Sequence, residues 1–158
     1  MDFDTAFSAL IGNEGKYSND PQDPGGETMW GVTARVAREW GYTGSMQDLP
    51  ESTARNIAHD SYWYPAHCED LPDAIRFDVF DAAYNEGVRE ALMLIQRTVG
   101  VSPDGVFGPA TAAAVAALDP ERCVRLFNAK RLRFYTSLPG WVHDGAGWAN
   151  RVATNLER

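Results

Sequence analysis

Asn13-Glu14-Gly15-Lys16-Tyr17-Ser18-Asn19-Asp20-Pro21-Gln22-Asp23-Pro24-Gly25-Gly26-Glu27-Thr28-Met29-Trp30-Gly31-Val32-Thr33 is the stretch on which the reading of the fold turns. It interrupts a helical pattern. Upstream, Phe3, Phe7, Leu10 and Ile11 recur at helical spacing, which predicts an amphipathic helix from about 3 to 13. Within the stretch, Asn19-Asp20-Pro21 and Asp23-Pro24-Gly25-Gly26 are turn formers, so it reads as a long ordered loop or a short hairpin near Tyr17–Val32. Loops of this length in compact domains are often functional. Thr33 can then cap a helix running to about Trp40, with Gly41 closing it.

Helical signals continue downstream. Pro50 precedes a helix from Glu51 to about Trp63, and Pro72 opens one that Gly87 ends. A shorter helix follows from about Arg89 to Val99, then an Asp104-Gly105 turn. Pro109 suits the first position of an Ala-rich helix to Leu118. Asp119-Pro120 caps another from about Glu121 to Ser137. After a glycine-rich connection, Gly140–Gly147, a last helix is expected from Ala146 to about Leu156. No alternating strand pattern exceeds a few residues. The fold class is therefore mainly α, with at most a small β-hairpin beside the loop.

The chain has 158 residues, 44% of them hydrophobic, enough to bury a core without metals or disulfides. Cys68 and Cys123 lack metal-ligand spacing and read as buried, reduced core residues; His59, His67 and His143 form no zinc motif. No metal and no cofactor is expected. The formal net charge of −8 argues against nucleic acid, whose phosphates need clustered Lys and Arg. The basic run Lys130-Arg131-Leu132-Arg133 reads as a solvated helix face. Met1-Asp2-Phe3-Asp4 is no secretory n-region, and no uncharged run nears the roughly 18 residues that span a bilayer. The expectation is a cytoplasmic location without stable membrane association.

Glu14 follows Phe3 by eleven residues and Phe7 by seven, which puts it on the apolar side of the first helix's last turn. Lost solvent there penalises the charged carboxylate and raises its pKa. A neutral carboxylic acid is what protonating a glycosidic oxygen requires; a lysozyme is the standard worked case of this pattern. The alternative is a helix-ending glutamate in solvent. Glycoside hydrolysis usually adds a second carboxylate, and Asp20, Asp23 and Glu27 all lie in the following loop. Asp20 and Asp23 also serve simply as turn residues before proline. Trp30 and Tyr17 are candidate platforms for sugar rings or else core filler. Asp78, Asp81 and Asn85 form one stripe of a helix, either a solvated face or a row of groups along a saccharide with Asn85 foremost.

Glu14-Gly15 with Tyr17, Asn19-Asp20-Pro21, Asp23-Pro24-Gly25-Gly26, Thr28 and Gly31-Val32-Thr33 resembles the signature of glycoside hydrolase family 108, lysozyme-like N-acetylmuramidases of phage endolysins and prophages. The resemblance continues through Asp48-Leu49-Pro50, Tyr62-Trp63-Tyr64-Pro65, Phe80-Asp81-Ala82-Ala83-Tyr84-Asn85-Glu86-Gly87 and Gly147-Trp148-Ala149-Asn150-Arg151-Val152. Lys16 stands where the family usually has a second glycine. The resemblance implies a lysozyme-like fold with Glu14 as catalytic acid. By further likeness to phage lysozymes, Asp23 steadies positive charge or activates water and Thr28 positions water. Ile95–Val101 with Asp104–Thr111 resembles a peptidoglycan-binding helical motif in which Phe107 plugs the core. The implied organisation is a catalytic lobe over 1–88 and a helical lobe over 89–158, integrated into one domain. The implied partner is bacterial peptidoglycan, cleaved between N-acetylmuramic acid and N-acetylglucosamine by a monomer that a holin releases to the wall. A lytic transglycosylase and a non-catalytic wall-binding or secretion-associated protein are the rival readings.

Overall fold

The computed structural model of the chain describes residues 1–12, 17–19 and 26–158. The chain divides into two compact units, Met1–Pro65 and Ala66–Arg158. The first holds α1 (Phe3–Ile11), an antiparallel hairpin of β1 (Thr28–Met29) and β2 (Val32–Thr33), α2 (Ala34–Trp40) and α3 (Glu51–Ala58). The second holds α4 (Asp73–Glu86), α5 (Val88–Val99), α6 (Pro109–Ala117), α7 (Pro120–Thr136) and α8 (Trp141–Leu156). The expected mainly α architecture with one small hairpin is what forms.

The first unit is set by its caps. Asp2 accepts from the Thr5 amide at 2.9 Å and starts α1. Thr33 accepts from the Val36 amide, and Gly41, at φ 105°, closes α2 in the left-handed region that favours glycine. Beyond Ala58 the chain keeps coiling in one wider turn to Trp63, so the helix expected over 51–63 is continuous in direction. Phe3 packs on Phe7 and edge-on to Trp63, with ring centroids 5.9 and 5.4 Å away. Arg55 lies over Phe7 and pairs with Asp4 at 2.6 Å, so its stem covers apolar surface while its head meets a charge.

In the second unit α4 is buried on most of its faces, with eight buried residues that include Asp78 and Asp81, and packs against α5 and α7. Gln96 on α5 is buried and organises the following loop. Its amide nitrogen donates to the Asp104 carboxylate, the Val106 carbonyl and the Thr111 hydroxyl, and its oxygen accepts from the Gly105 amide. Phe107 does not plug the core as expected; it is half-buried and stacks on His67 at 4.8 Å. Cys68 and Cys123 are buried and unpaired. Among the described residues no helix is long and apolar enough to cross a membrane.

α8 begins five residues before the expected start, because the glycine-rich stretch is helical. Gly145 makes this possible: a Cβ there would meet the Trp141 ring at 2.7 Å. The bare backbone lets Trp141 lie across the helix, and Trp148 stacks on Tyr135 at 5.2 Å. Aromatic burial offsets the helix cost of glycine, about 1 kcal/mol each.

Gln96→Leu should keep the volume of the side chain and remove its hydrogen bonds. The Gly105 amide and Val106 carbonyl then lose partners, at a cost of about 2–4 kcal/mol. Urea unfolding of the two proteins reads this directly, and a change under about 0.5 kcal/mol would mean that Gln96 does not hold the loop.

Candidate active site

The hairpin and its flanks carry the first group of candidates. The register pairs Thr28 with Thr33 and Met29 with Val32, which leaves Trp30-Gly31 as a two-residue turn. Both turn residues have positive φ, 56° and 76°, the geometry that matches the twist of the strands. Glycine adopts it freely, whereas a bulky residue such as Trp30 is strained there. The indole N–H of Trp30 donates to the Leu49 carbonyl at 2.9 Å, tying the turn to the segment before α3. Trp30 is thus half-buried and structurally anchored.

Ser18 pairs with Thr28 through two backbone hydrogen bonds of 3.0 and 2.8 Å. The Tyr17 hydroxyl donates to the Glu27 carboxylate at 2.9 Å, and the Ala34 amide donates to the Glu27 carbonyl. Tyr17, Thr28 and Trp30 are thereby gathered on one hairpin, each half-buried. Glu14 and Asp23, the proposed carboxylates, lie outside the described residues, as does Asp20. Asn85 belongs to the second unit, on α4. It is exposed, and its amide nitrogen donates to the Asp81 carbonyl at 2.7 Å and the Asp81 carboxylate at 3.1 Å.

The rest of the α4 stripe is neither a solvated face nor a row open to a saccharide. Asp78 and Asp81 are buried, 4% and 1% exposed. Asp81 receives Arg131 at 2.5 Å, Arg151 at 2.9 Å and Asn155 at 2.9 Å. Burial alone would raise the Asp81 carboxyl, but the two guanidinium charges and these hydrogen bonds hold it below the usual range. Arg131 also forks onto Glu86 at 2.8 Å and 3.1 Å, and the Tyr135 hydroxyl donates to the same carboxylate. At Glu86 burial outweighs the Arg131 charge and these hydrogen bonds and keeps the carboxyl raised. The run Lys130-Arg131-Leu132-Arg133 is therefore not one solvated face: Arg131 is fully buried. A sequence signal for this existed, since Cys123, Phe127, Arg131 and Tyr135 follow one another at i, i+4 along α7 and all are buried.

Residues 7–87 match the family described as Glycosyl hydrolase 108, and the chain belongs to that family. Residues 90–152 match a family described as "Predicted Peptidoglycan domain". A solved structure, that of Brucella abortus SagA, superposes with a TM-score of 0.93 at 31% identity, covering 99% of this chain and 92% of that one. No curated protein sequence matches the chain.

Asp78 generates a pH test. Asn128 donates to its carboxylate at 2.7 Å, while the Asn128 side-chain oxygen has no partner among the described residues. Burial raises the Asp78 pKa to about 6, from 3.8. A carboxyl with a raised folded pKa contributes stability below the unfolded value and loses it as pH rises through the folded one. Asp78→Asn removes the charge and brings a donor able to reach the orphaned oxygen. Its melting temperature should therefore gain on the wild type between about pH 4 and pH 7 and hold that gain above. A pH-independent difference would show that Asp78 does not titrate in this window.

Proposed function

We propose that the chain is an N-acetylmuramidase that hydrolyses the bond from N-acetylmuramic acid to N-acetylglucosamine. What supports this most is that the family match over residues 7–87 contains Glu14, Asp23 and the whole hairpin that carries Thr28. Glu14 donates its proton to the glycosidic oxygen as the carbon–oxygen bond breaks, and water completes the reaction at the anomeric carbon. Asp23 steadies the developing positive charge or takes the water's proton. Thr28, paired across the hairpin with Thr33, positions that water. Tyr17 and Trp30 offer ring faces to the sugars, and Asn85 a hydrogen bond. The proposal includes a phage or prophage origin, synthesis in a host cytoplasm, release to the wall through a holin, and action as a monomer.

Glu14→Gln should lower wall clearing by on the order of 10² to 10⁴ with melting unchanged, because it removes the proton donor and keeps its shape. Products weighed by mass spectrometry should carry one added water. Anhydro products would instead mark a lytic transglycosylase, and near-normal clearing by a folded variant would end the proposal.

Asp23→Asn should cost at least about tenfold in the same assay, against little for Asp20→Asn. The reverse order of sensitivity would move the second carboxylate to Asp20.

A further inference from the structure

The negative charge is unevenly divided. Residues 1–65 hold ten acidic and four basic side chains, whereas residues 66–158 hold twelve and ten. Within the nearly balanced second unit, α5 and α7 pack together and leave between them an open groove of about 640 Å³. Its floor includes Leu94, Val101 and Phe134, and its walls carry Arg97, Lys130 and Arg133. Arg97 is paired with Glu90 at 2.7 Å. Lys130 and Arg133, one helical turn apart, make no ion pair with any described residue. The groove thus joins an apolar floor to two uncommitted cations, on a chain whose overall charge is −8.

We infer that this groove binds the carboxylate-bearing stem peptide of peptidoglycan, and so gives the wall-binding segment a peptide site separate from glycan chemistry. The inference rests on peptidoglycan being the partner, which the match over residues 90–152 supports. Three features select this occupant. Free carboxylates complement Lys130 and Arg133, as a guanidinium fork and an ammonium both serve planar anions. The short aliphatic side chains of the stem suit Leu94, Val101 and Phe134. The open form of the groove admits a peptide still attached to its glycan. In the wall the carboxyl of muramic acid is consumed in its amide bond to the stem, so the free carboxylates that meet the two cations belong to the peptide.

Calorimetric titration of the full chain tests this with a disaccharide–tetrapeptide muropeptide, which lacks the bond proposed for cleavage. Three comparison ligands complete the set: the same compound with its carboxylates amidated, a neutral disaccharide of N-acetylglucosamine, and a glycerol phosphate polymer. The free-carboxylate muropeptide should bind about five- to tenfold tighter than the amidated one. Lys130→Gln/Arg133→Gln should erase that preference without lowering the melting temperature, since both positions are solvent-accessible and glutamine is a good helix former. Equal binding of the free and amidated forms, or a preference that survives in the double variant, would overturn the inference. So would tighter binding of the phosphate polymer, which would make the groove a general polyanion site. Cleavage of the glycan is read separately through Glu14→Gln, so failure of the one reading is distinguishable from failure of the other.

Discussion

Arg131 sits with no exposed surface between Asp81 and Glu86, and three helices depend on the way its charge is met. Stripping water from a guanidinium and two carboxylates costs several kcal/mol per ion, and only close, complete pairing offsets it. The pairing here is complete because α4, α7 and α8 all contribute. α4 brings the acids, α7 brings Arg131 and Tyr135, and α8 brings Arg151 and Asn155. Shifting any of the three by one turn would leave a buried charge alone. The network therefore fixes register in a helical unit whose central helix, buried on most of its faces, could otherwise slide or rotate.

The same cluster gives a physical reason for two family motifs to occur in one chain. Asp81 lies in Phe80-Asp81-Ala82-Ala83-Tyr84-Asn85-Glu86-Gly87, and Arg151 lies in Gly147-Trp148-Ala149-Asn150-Arg151-Val152, seventy positions later. They meet at 2.9 Å. What reads in the sequence as two separate polar motifs is one ionic contact, and its members serve the interior of the second unit. Asn85, at the exposed end of that stripe, is the member left facing outward.

Helices were legible where end signals were strong. Thr33 with Gly41, Pro109 and Asp119-Pro120 set α2, α6 and α7 within a residue or two, since caps act locally. Gly140–Gly147 misled for the complementary reason. Glycine reads as a breaker by local propensity, but the fit of Trp141 over Gly145 is a tertiary effect that no local rule contains. The sequence reads Arg131 as solvated, and Asp78 and Asp81 as either solvated or facing a saccharide, because charge usually marks a surface, whereas their burial depends on partners about fifty positions away. In the candidate site the hairpin was readable from the turn formers before it, while Glu14, Asp20 and Asp23 lie outside the described residues. The strained turn at Trp30 was not, as it rests on the distant Leu49 carbonyl.

The two buried cysteines carry a consequence for covalent integrity. A thiol reacts with peroxide or a disulfide as its thiolate, and burial holds Cys68 far above the usual thiol range and pushes Cys123 up to about 11. At neutral pH almost no thiolate forms at either position, and neither sulfur is open to an attacking reagent. Oxidants and mixed disulfides consequently find no thiol handle in the second unit. Both cysteines stay in the thiol form whether the surroundings are reducing or oxidising, without a disulfide to make or lose as the surroundings change.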